Sequence, residues 1–328
     1  MYRVMEIKDI KTNGKVILGP MAGITSLAYR EFMKPFGVAL SVSEMISDCG
    51  INYKNPRTLT YLATSQEDRP VALQLFGFSA DNTKSAITIL ETNSDYDMLD
   101  INLGCPVHKV TKTGAGSAWL KEPNKLYDYM REVVKTSHKP VSAKIRLGWD
   151  SSSINVQEIS SLLEKAGVSL LTVHARTSAQ GYSGVPNWEA VHNLGESLSI
   201  PLCVSGDIFT PEAALKAMEI AKASYVMVAR GGVGNPELVT NINRALEGKG
   251  LLQSPTPKAQ AEYAKKYALM LKGEKGDYIA SLDLRGILPS FFKGFKGYKK
   301  IRTEIALHTK TFEDVIRVID GVINRETI

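Results

Sequence analysis

A cysteine close to an amide side chain, just past the end of an apolar strand, is the arrangement in this sequence best suited to chemistry. Residues 97–102 form an apolar run that predicts a buried strand, and Gly104 and Pro106 break it. Cys105 lies in that break, three residues after Asn102. A thiol held there can donate a proton to a molecule that the amide hydrogen-bonds. Because a lone cysteine is more often a small buried apolar residue, this interpretation depends on the residues that accompany it.

The elements that must position this cysteine follow a repeating pattern. Short runs rich in Val, Ile and Leu alternate with amphipathic stretches through the first 250 residues, as is typical of parallel strands buried on both faces. The segment 51–62 resembles a loop. The pattern favours an α/β protein with a (β/α)8 TIM barrel, and the lack of G-x-G-x-x-G after an early strand weakens the alternative of a doubly wound sheet. We predict strands at 16–20, 39–44, 71–76, 97–102, 141–146, 170–174, 201–205 and 225–229, and helices at 80–91, 125–135, 156–165 and 211–220.

The C-terminal quarter differs in both pattern and charge. A Ser-Pro-Thr-Pro run predicts a linker at 251–257, between a barrel at 1–250 and a small all-α domain at 258–328. Residues 255–328 hold 14 Lys and Arg against 9 Asp and Glu, so +5 of the net charge of +6 lies there. This excess favours an acidic partner, and a solvated basic face is the alternative. We predict helices in this domain at about 258–271, 278–292, 299–308 and 312–324.

Composition excludes several classes of protein. Hydrophobic residues make up 44% of the chain and charged residues 23%, as in ordinary globular proteins. No run approaches the roughly 18 apolar residues of a membrane span, and the N-terminus lacks a secretory signal. The three cysteines lack metal-ligand spacing and suggest a reducing compartment. We therefore expect a cytoplasmic protein, without metal or membrane attachment, and a monomer.

Polar and glycine-containing segments follow the predicted strands, and in a barrel the carboxyl ends of the strands share one rim. Glycine loops after the last two strands favour a phosphate site. A lysine from the fifth strand suits an anionic ring such as reduced flavin. In strand order, the ends carry Pro20-Met21-Ala22, Ser43-Glu44-Met45, Gln74, Asn102 with Cys105, Lys144 with Arg146, His174 with Arg176, Ser205-Gly206-Asp207 and Ala229-Arg230.

These segments resemble those of the tRNA-dihydrouridine synthases, flavin enzymes that reduce selected uridines in transfer RNA. The resemblance covers most of the chain, and its most specific part is the Asn-x-Gly-Cys-Pro core. It implies an FMN-binding barrel followed by a helical RNA-binding domain. The matching motifs are Gly19-Pro20-Met21-Ala22-Gly23, Gln74-Leu75-Phe76-Gly77, Asp100-Ile101-Asn102-Leu103-Gly104-Cys105-Pro106, Gly114-Ala115-Gly116, Lys144-Ile145-Arg146, His174-Ala175-Arg176-Thr177, Ser205-Gly206-Asp207 and Ala229-Arg230-Gly231.

The resemblance also implies roles for individual residues. Hydride would pass from flavin N5 to C6 of uracil, and the Cys105 thiol would protonate C5. Asn102, Arg146 and Arg176 would bind the substrate. NADPH, or NADH, is the implied electron source, although no residue motif indicates it. The residues implied to bind FMN are Pro20, Met21, Ala22, Gln74, Lys144, His174, Ser205, Gly206, Asp207, Ala229 and Arg230.

A basic segment in the helical domain is the candidate RNA surface, because cations bind phosphates and aromatic rings can stack on unpaired bases. Its cations are interleaved with Phe291, Phe292, Phe295 and Tyr298, and we expect the three phenylalanines to be packing residues of the domain. The cations that we predict to contact RNA are Arg285, Lys293, Lys296, Lys299, Lys300 and Arg302.

Two departures from the family pattern leave the RNA target open. Ser178 stands where relatives often carry a basic residue, and Leu284-Arg285-Gly286 stands where bacterial relatives often carry Arg-Lys-His. A ribosomal RNA substrate is therefore an alternative to transfer RNA. Two other functions remain: an FMN oxidoreductase of free pyrimidines, of the dihydroorotate dehydrogenase kind, and an RNA-binding or chaperone-like module with a vestigial site.

Overall fold

A closed barrel of parallel strands forms the main body of the computed structural model, which describes residues 4–324. Each strand pairs in parallel with the next along the chain, and the last pairs with the first. This confirms the predicted (β/α)8 barrel. Residues 1–3 and 325–328, the outer ends of the two predicted domains, lie outside the described residues. The barrel strands are β3 (Val16–Leu18), β4 (Val38–Ser47), β5 (Val71–Phe76), β6 (Met98–Leu103), β7 (Val141–Arg146), β8 (Leu170–His174), β9 (Leu202–Ser205) and β10 (Tyr225–Val228).

An N-terminal hairpin, absent from the sequence prediction, covers the amino end of the barrel. Its strands are β1 (Val4–Ile7) and β2 (Ile10–Asn13). Ile7 is fully buried in a cluster with side chains from inside the barrel, such as Ile17 and Met98. Because apolar side chains fill this end, only the carboxyl end of the barrel is available for a polar site.

Helices surround the barrel, and those predicted from sequence are present with small shifts at their ends. Thr210 caps α8 by accepting a hydrogen bond from the Ala213 amide, as its Thr-Pro-Glu start indicates. The segment 51–62 was predicted as loop, but α3 forms there because Asn55 accepts from the Thr58 amide and Pro56 occupies the first turn. The helices of the barrel are α1 (Leu27–Met33), α2 (Asp48–Asn52), α3 (Pro56–Thr60), α4 (Ala80–Asn93), α5 (His108–Thr111), α6 (Pro123–Thr136), α7 (Val156–Lys165), α8 (Pro211–Ala221) and α9 (Glu237–Leu246).

The C-terminal region consists of helices joined by short loops and packs on the barrel. Its helices are α10 (Pro257–Ile287), α11 (Lys299–Thr303) and α12 (Phe312–Ile323). The sequence predicts two helices where α10 runs, and Gly276, with φ of +74°, kinks α10 near that division. The rings of Tyr267 and Phe291 lie 5.5 and 6.1 Å from that of Phe32 in α1. One apolar cluster therefore extends from the barrel into the helical region.

No helix in residues 4–324 combines the length and the apolar character that crossing a bilayer requires. Over the same range, no group of three or more His, Cys, Asp or Glu side chains is arranged to bind a metal ion.

Candidate active site

A cavity opens at the carboxyl end of the barrel. All residues predicted to bind the cofactor line it, except Ala22, which is exposed, and Gln74, which is fully buried. The structure thus brings together the ends of four strands and the segment after β3. The lining comprises Pro20, Met21, Lys144, His174, Tyr182, Ser205, Gly206, Asp207, Ile208, Phe209, Met227, Ala229, Arg230 and Gly231.

The loops after β9 and β10 form one wall of the cavity and require glycine. A Cβ atom on Gly231 would lie 2.0 Å from the Ile208 carbonyl oxygen, and Gly206 has φ of +131°. These positions bring main chain close to the cavity, where backbone amides can bind an anion. The arrangement therefore fits the phosphate of a nucleotide cofactor.

Lys144 extends from β7 to the cavity. Among residues 4–324, no side chain or backbone oxygen forms a hydrogen bond or ion pair with its ammonium group. Burial, with the nearby Arg146, lowers the pKa of Lys144 to about 8. An unpaired cation in this position favours a ligand that carries negative charge. The chemistry of this residue fits the ring of a reduced flavin.

His174 lies at the end of β8 beside the same loops. Burial and the surrounding cations, Lys144 first among them, lower the pKa of its imidazole far below the usual value, so the ring is neutral. Nη1 of Arg176 lies 3.4 Å from His174 Nε2. A guanidinium only donates, so this contact favours Nε2 as acceptor and leaves Nδ1–H to donate.

A buried hydrogen-bond chain holds the loop that carries Cys105. The Cys105 amide donates to Asn102 Oδ1 at 2.8 Å, and Asn102 Nδ2 donates to Gln74 Oε1 at 2.8 Å. Gln74 Nε2 in turn donates to Asp100 at 2.6 Å, and Ser142 donates to the same carboxylate at 2.5 Å. Asn102 and Gln74 thus shape the cysteine loop, in addition to any contact with a ligand.

The Cys105 thiol is half-buried and follows β6, whose Asn102 pairs in register with Lys144 of β7. Burial raises the pKa of the thiol, while the Val107 amide and the charges of Arg146 and Lys144 oppose the rise. The thiol is therefore protonated at neutral pH, which is the state that a proton donor needs.

Arg146 and Arg176, both predicted to bind substrate, make extensive contacts with the protein itself. Arg146 donates to the carbonyl oxygens of Gly104, Thr177 and Gly181 at 2.7–2.8 Å. Arg176 is 1% exposed and binds both carboxylate oxygens of Asp207 at 2.6 and 3.0 Å. Much of the hydrogen-bonding capacity of each guanidinium is used within the fold.

Tyr182 is a cavity residue that sequence reasoning missed. Its ring is 59% exposed and lies 4.8 Å from the Arg230 guanidinium and 5.4 Å from that of Arg146. The available signal was an aromatic residue after Gly181, in the loop that follows a barrel strand. Ser178, the first departure from the family pattern, is buried in this loop and hydrogen-bonds Ser117 at 2.5 Å.

The residues predicted to contact RNA lie outside this cavity, on the helical region. We call them the basic face: Arg285, Lys293, Lys296, Lys299, Lys300 and Arg302.

The four lysines of the basic face are exposed, and Lys299 and Lys300 border a surface hollow of about 760 Å³. Within the described part of the chain, none of the six cations forms an ion pair. Of the interleaved rings, Phe291 and Phe292 are buried, which identifies them as packing residues that cannot stack on a base without rearrangement.

The comparison with known protein families decides the classification. The sequence model described as dihydrouridine synthase matches residues 17–323. The chain belongs to the dihydrouridine synthase family. A protein named probable tRNA-dihydrouridine synthase 1, from a Synechocystis species, is 32% identical over 310 residues, which cover 92% of this chain and 84% of that protein. The tRNA-dihydrouridine synthase B of Pasteurella multocida is 33% identical over 254 residues, 77% of this chain and 76% of that one.

Solved structures share the fold of this family member at low sequence identity. A 2-naphthoyl-CoA reductase complex superposes with a TM-score of 0.57 and 11% identity, over 75% of this chain and 52% of that chain. A histamine dehydrogenase from a Rhizobium species gives a TM-score of 0.54 and 9% identity, over 82% of this chain and 50% of that one. At these identities, the similarity concerns the fold.

Proposed function

We propose that this protein reduces selected uridines of transfer RNA to 5,6-dihydrouridine, with FMN as cofactor and Cys105 as proton donor. The observation that carries the proposal is a half-buried, protonated thiol after β6, the strand that pairs with the strand of Lys144, together with a cavity that Lys144 and the glycine loops line and that suits a flavin nucleotide. Membership of the dihydrouridine synthase family and the names of its relatives support the reaction and the RNA substrate.

We call the carboxyl end of the barrel, with the cavity and the residues around it, the mouth. Some of its residues are suited to bind the cofactor and others to bind the substrate. FMN, when bound, would supply a hydride for C6 of the uracil. The Gly206 and Gly231 loops, with Arg230, would hold its phosphate, and Lys144 would stabilise negative charge on its ring. Pro20, Met21, Ala22 and His174 would contact the ring, while Ser205 and Ala229 would complete the surroundings of the phosphate.

Cys105 supplies the proton. Reduction of the C5–C6 double bond leaves C5 in need of H⁺, and a protonated thiol can deliver it. The hydrogen-bond chain from the Cys105 amide through Asn102 and Gln74 to Asp100 fixes the backbone of the thiol loop. Asn102 and Arg146 then orient the uracil through the hydrogen-bonding groups that their contacts within the fold leave free. NADPH is the proposed source of electrons.

The substrate RNA is bound by a second part of the chain. We assign catalysis to the barrel, residues 1–250, and RNA binding to the helical region, 258–328, with 251–257 as the connection. Within residues 4–324 the cations of the basic face form no ion pair, so none of these described contacts has to break when the cations meet the phosphates of a polyanion.

The decisive experiment deletes the gene and maps dihydrouridine across total RNA, followed by the purified protein acting on unmodified transcripts with FMN and NADPH. We expect dihydrouridine to disappear from defined transfer RNA positions and to be restored in vitro. If dihydrouridine disappeared from ribosomal RNA instead, ribosomal RNA would be the substrate. If the RNA kept its dihydrouridine and the protein reduced free pyrimidines, the proposed function would be wrong.

A further inference from the structure

The segment 177–184, whose Tyr182 lines the cavity, is held by two buried arginines, one at the end of β7 and one just after β8. Arg146 donates to the carbonyl oxygens of Thr177 and Gly181, and Arg176 donates to those of Ser183 and Gly184. Four main-chain carbonyls of one short segment therefore depend on two guanidinium groups. Tyr182, which lines the cavity, lies between the points of attachment.

Arg176 also connects this segment to the loop after β9. Its guanidinium binds the Asp207 carboxylate with two hydrogen bonds, at 2.6 and 3.0 Å. The same carboxylate accepts from Arg230 at 2.9 Å. Asp207 has φ of +47°, a left-handed backbone conformation that aspartate adopts more readily than most residues other than glycine.

The two arginines on Asp207 differ in their surroundings. Arg176 is buried and has backbone partners in addition to the carboxylate, whereas the Arg230 side chain is 49% exposed at the rim of the cavity. Asp207 therefore bridges the half-exposed guanidinium of Arg230 to the buried guanidinium of Arg176. A cation fixed in this way is ready to meet a phosphate without first losing its freedom of rotation.

We propose that Arg176 is a positioning residue, acting through Asp207 on Arg230 and through the 183–184 backbone on Tyr182, without touching cofactor or substrate. This inference rests on the proposed function, because it takes the phosphate of FMN as the group that Arg230 meets. It reassigns Arg176 from the substrate role that the sequence implied.

The direction in which Asp207→Asn changes phosphate affinity distinguishes a positioning role of Asp207 from a purely electrostatic one. If Asp207 mattered only through its negative charge, Asp207→Asn would remove repulsion and tighten the binding of a phosphate dianion. If Asp207 positions Arg230, the same change loosens Arg230 and weakens phosphate binding. The two expectations are opposite, so affinity alone decides between them.

The experiment titrates the full-length, flavin-free chain with FMN and with riboflavin, which lacks the phosphate. The ratio of the two dissociation constants isolates the contribution of the phosphate. We expect Asp207→Asn and Arg176→Lys each to lower the preference for FMN by about tenfold, with riboflavin affinity little changed. Hydrogen exchange of the peptide 177–187 should also accelerate in Arg176→Lys, and FMN should slow it more than riboflavin does in the unsubstituted chain.

A matched control exists in the same molecule. Arg30 is also buried, binds Asp68 at 2.7 Å and donates to the carbonyl oxygens of Thr25 and Ala63, but it does not line the cavity. Arg30→Lys and Asp68→Asn should lower thermal stability and leave the FMN preference unchanged.

The outcomes separate the inference from the proposed function. An unchanged or increased FMN preference in Asp207→Asn or Arg176→Lys overturns the inference while FMN binding by the unsubstituted chain still supports the function. Equal loss of preference in the Arg30 controls also overturns it, because the effect would then be general destabilisation. An unsubstituted chain that binds neither flavin overturns both.

Discussion

The barrel mouth and the basic face both concentrate cations, but they use them in opposite ways. At the mouth, Arg146 and Arg176 are buried and committed to carbonyl and carboxylate partners. On the basic face, lysines such as Lys299 and Lys300 are exposed and lack ion pairs within residues 4–324. A fixed guanidinium holds its partners in defined positions within a small site. A free ammonium contributes positive charge but does not fix the position of its partner.

This contrast between fixed and free cations explains how one chain can bind a large polyanion and still act on a single base. Long-range attraction to phosphates needs only charge and weakens with salt. Chemistry on a pyrimidine needs atoms held within fractions of an ångström, and preorganised partners supply that. The two regions should therefore respond differently to substitution and to salt.

The largest effect should come from the thiol at the mouth. We expect Cys105→Ala to retain FMN and RNA binding but to lose about 10²–10⁴-fold in dihydrouridine formation, because the proton donor for C5 is gone. Single-turnover product analysis checks it. Cys49→Ala, at another half-buried free thiol, should keep its rate. Near-normal turnover by Cys105→Ala would remove this thiol from the mechanism.

Substitutions on the basic face should have the opposite effect: RNA binding weakens while the chemical step is unchanged. Replacing Lys299 and Lys300 together by alanine should weaken RNA binding and make the slope of log affinity against log salt less steep by about two. Lys265 and Lys272, which pair with Asp320 and Asp277, provide a control double substitution with a smaller expected change. A slope equal to that of the unsubstituted chain would exclude these lysines from the RNA contact.

Lys144 differs from Arg146 and Arg176 of the mouth, because among residues 4–324 no group forms a hydrogen bond or ion pair with its ammonium. Lys144→Met should lower the reduction potential of bound flavin by about 30 mV or more, since the anionic reduced ring loses its nearest positive charge. A spectroscopic redox titration measures it. Lys34, whose pKa burial also lowers to about 8, lies outside the cavity, so Lys34→Met should leave the potential unchanged. A potential that Lys144→Met does not shift would argue against a charge contact with the ring.

The smallest predicted effect is on the pH dependence of cofactor binding. The pKa of Lys144 lies at about 8, so its charge is present below that pH and is lost above it. A ligand that binds better to the protein with a charged Lys144 ammonium should bind up to tenfold more weakly for each pH unit above about 8. Flavin titrations at several pH values should show this decline in the unsubstituted chain and in Lys34→Met. Persistence of the same decline in Lys144→Met would assign it to another group.

Sequence patterns were sufficient to predict the barrel and the rim where its strands end, and to mark one thiol as a candidate proton donor. Apolar runs without alternation, separated by helical patterns, are sufficient to predict parallel strands, and their carboxyl ends must then meet at one rim. That rule placed Lys144, His174, Gly206 and Arg230 at one cavity before any distance was known, and the Asn-x-Gly-Cys-Pro segment singled out Cys105.

Tertiary structure alone decided what those side chains bind. Arg146 reaches carbonyls 31 and 35 residues further along the chain, and Arg176 meets a carboxylate 31 residues away. No local pattern encodes such pairs, because a guanidinium can donate to any oxygen that packing brings within about 3 Å. The same holds for the N-terminal hairpin and for Phe291 and Phe292: burial against distant residues, rather than their own sequence, fixes what they do.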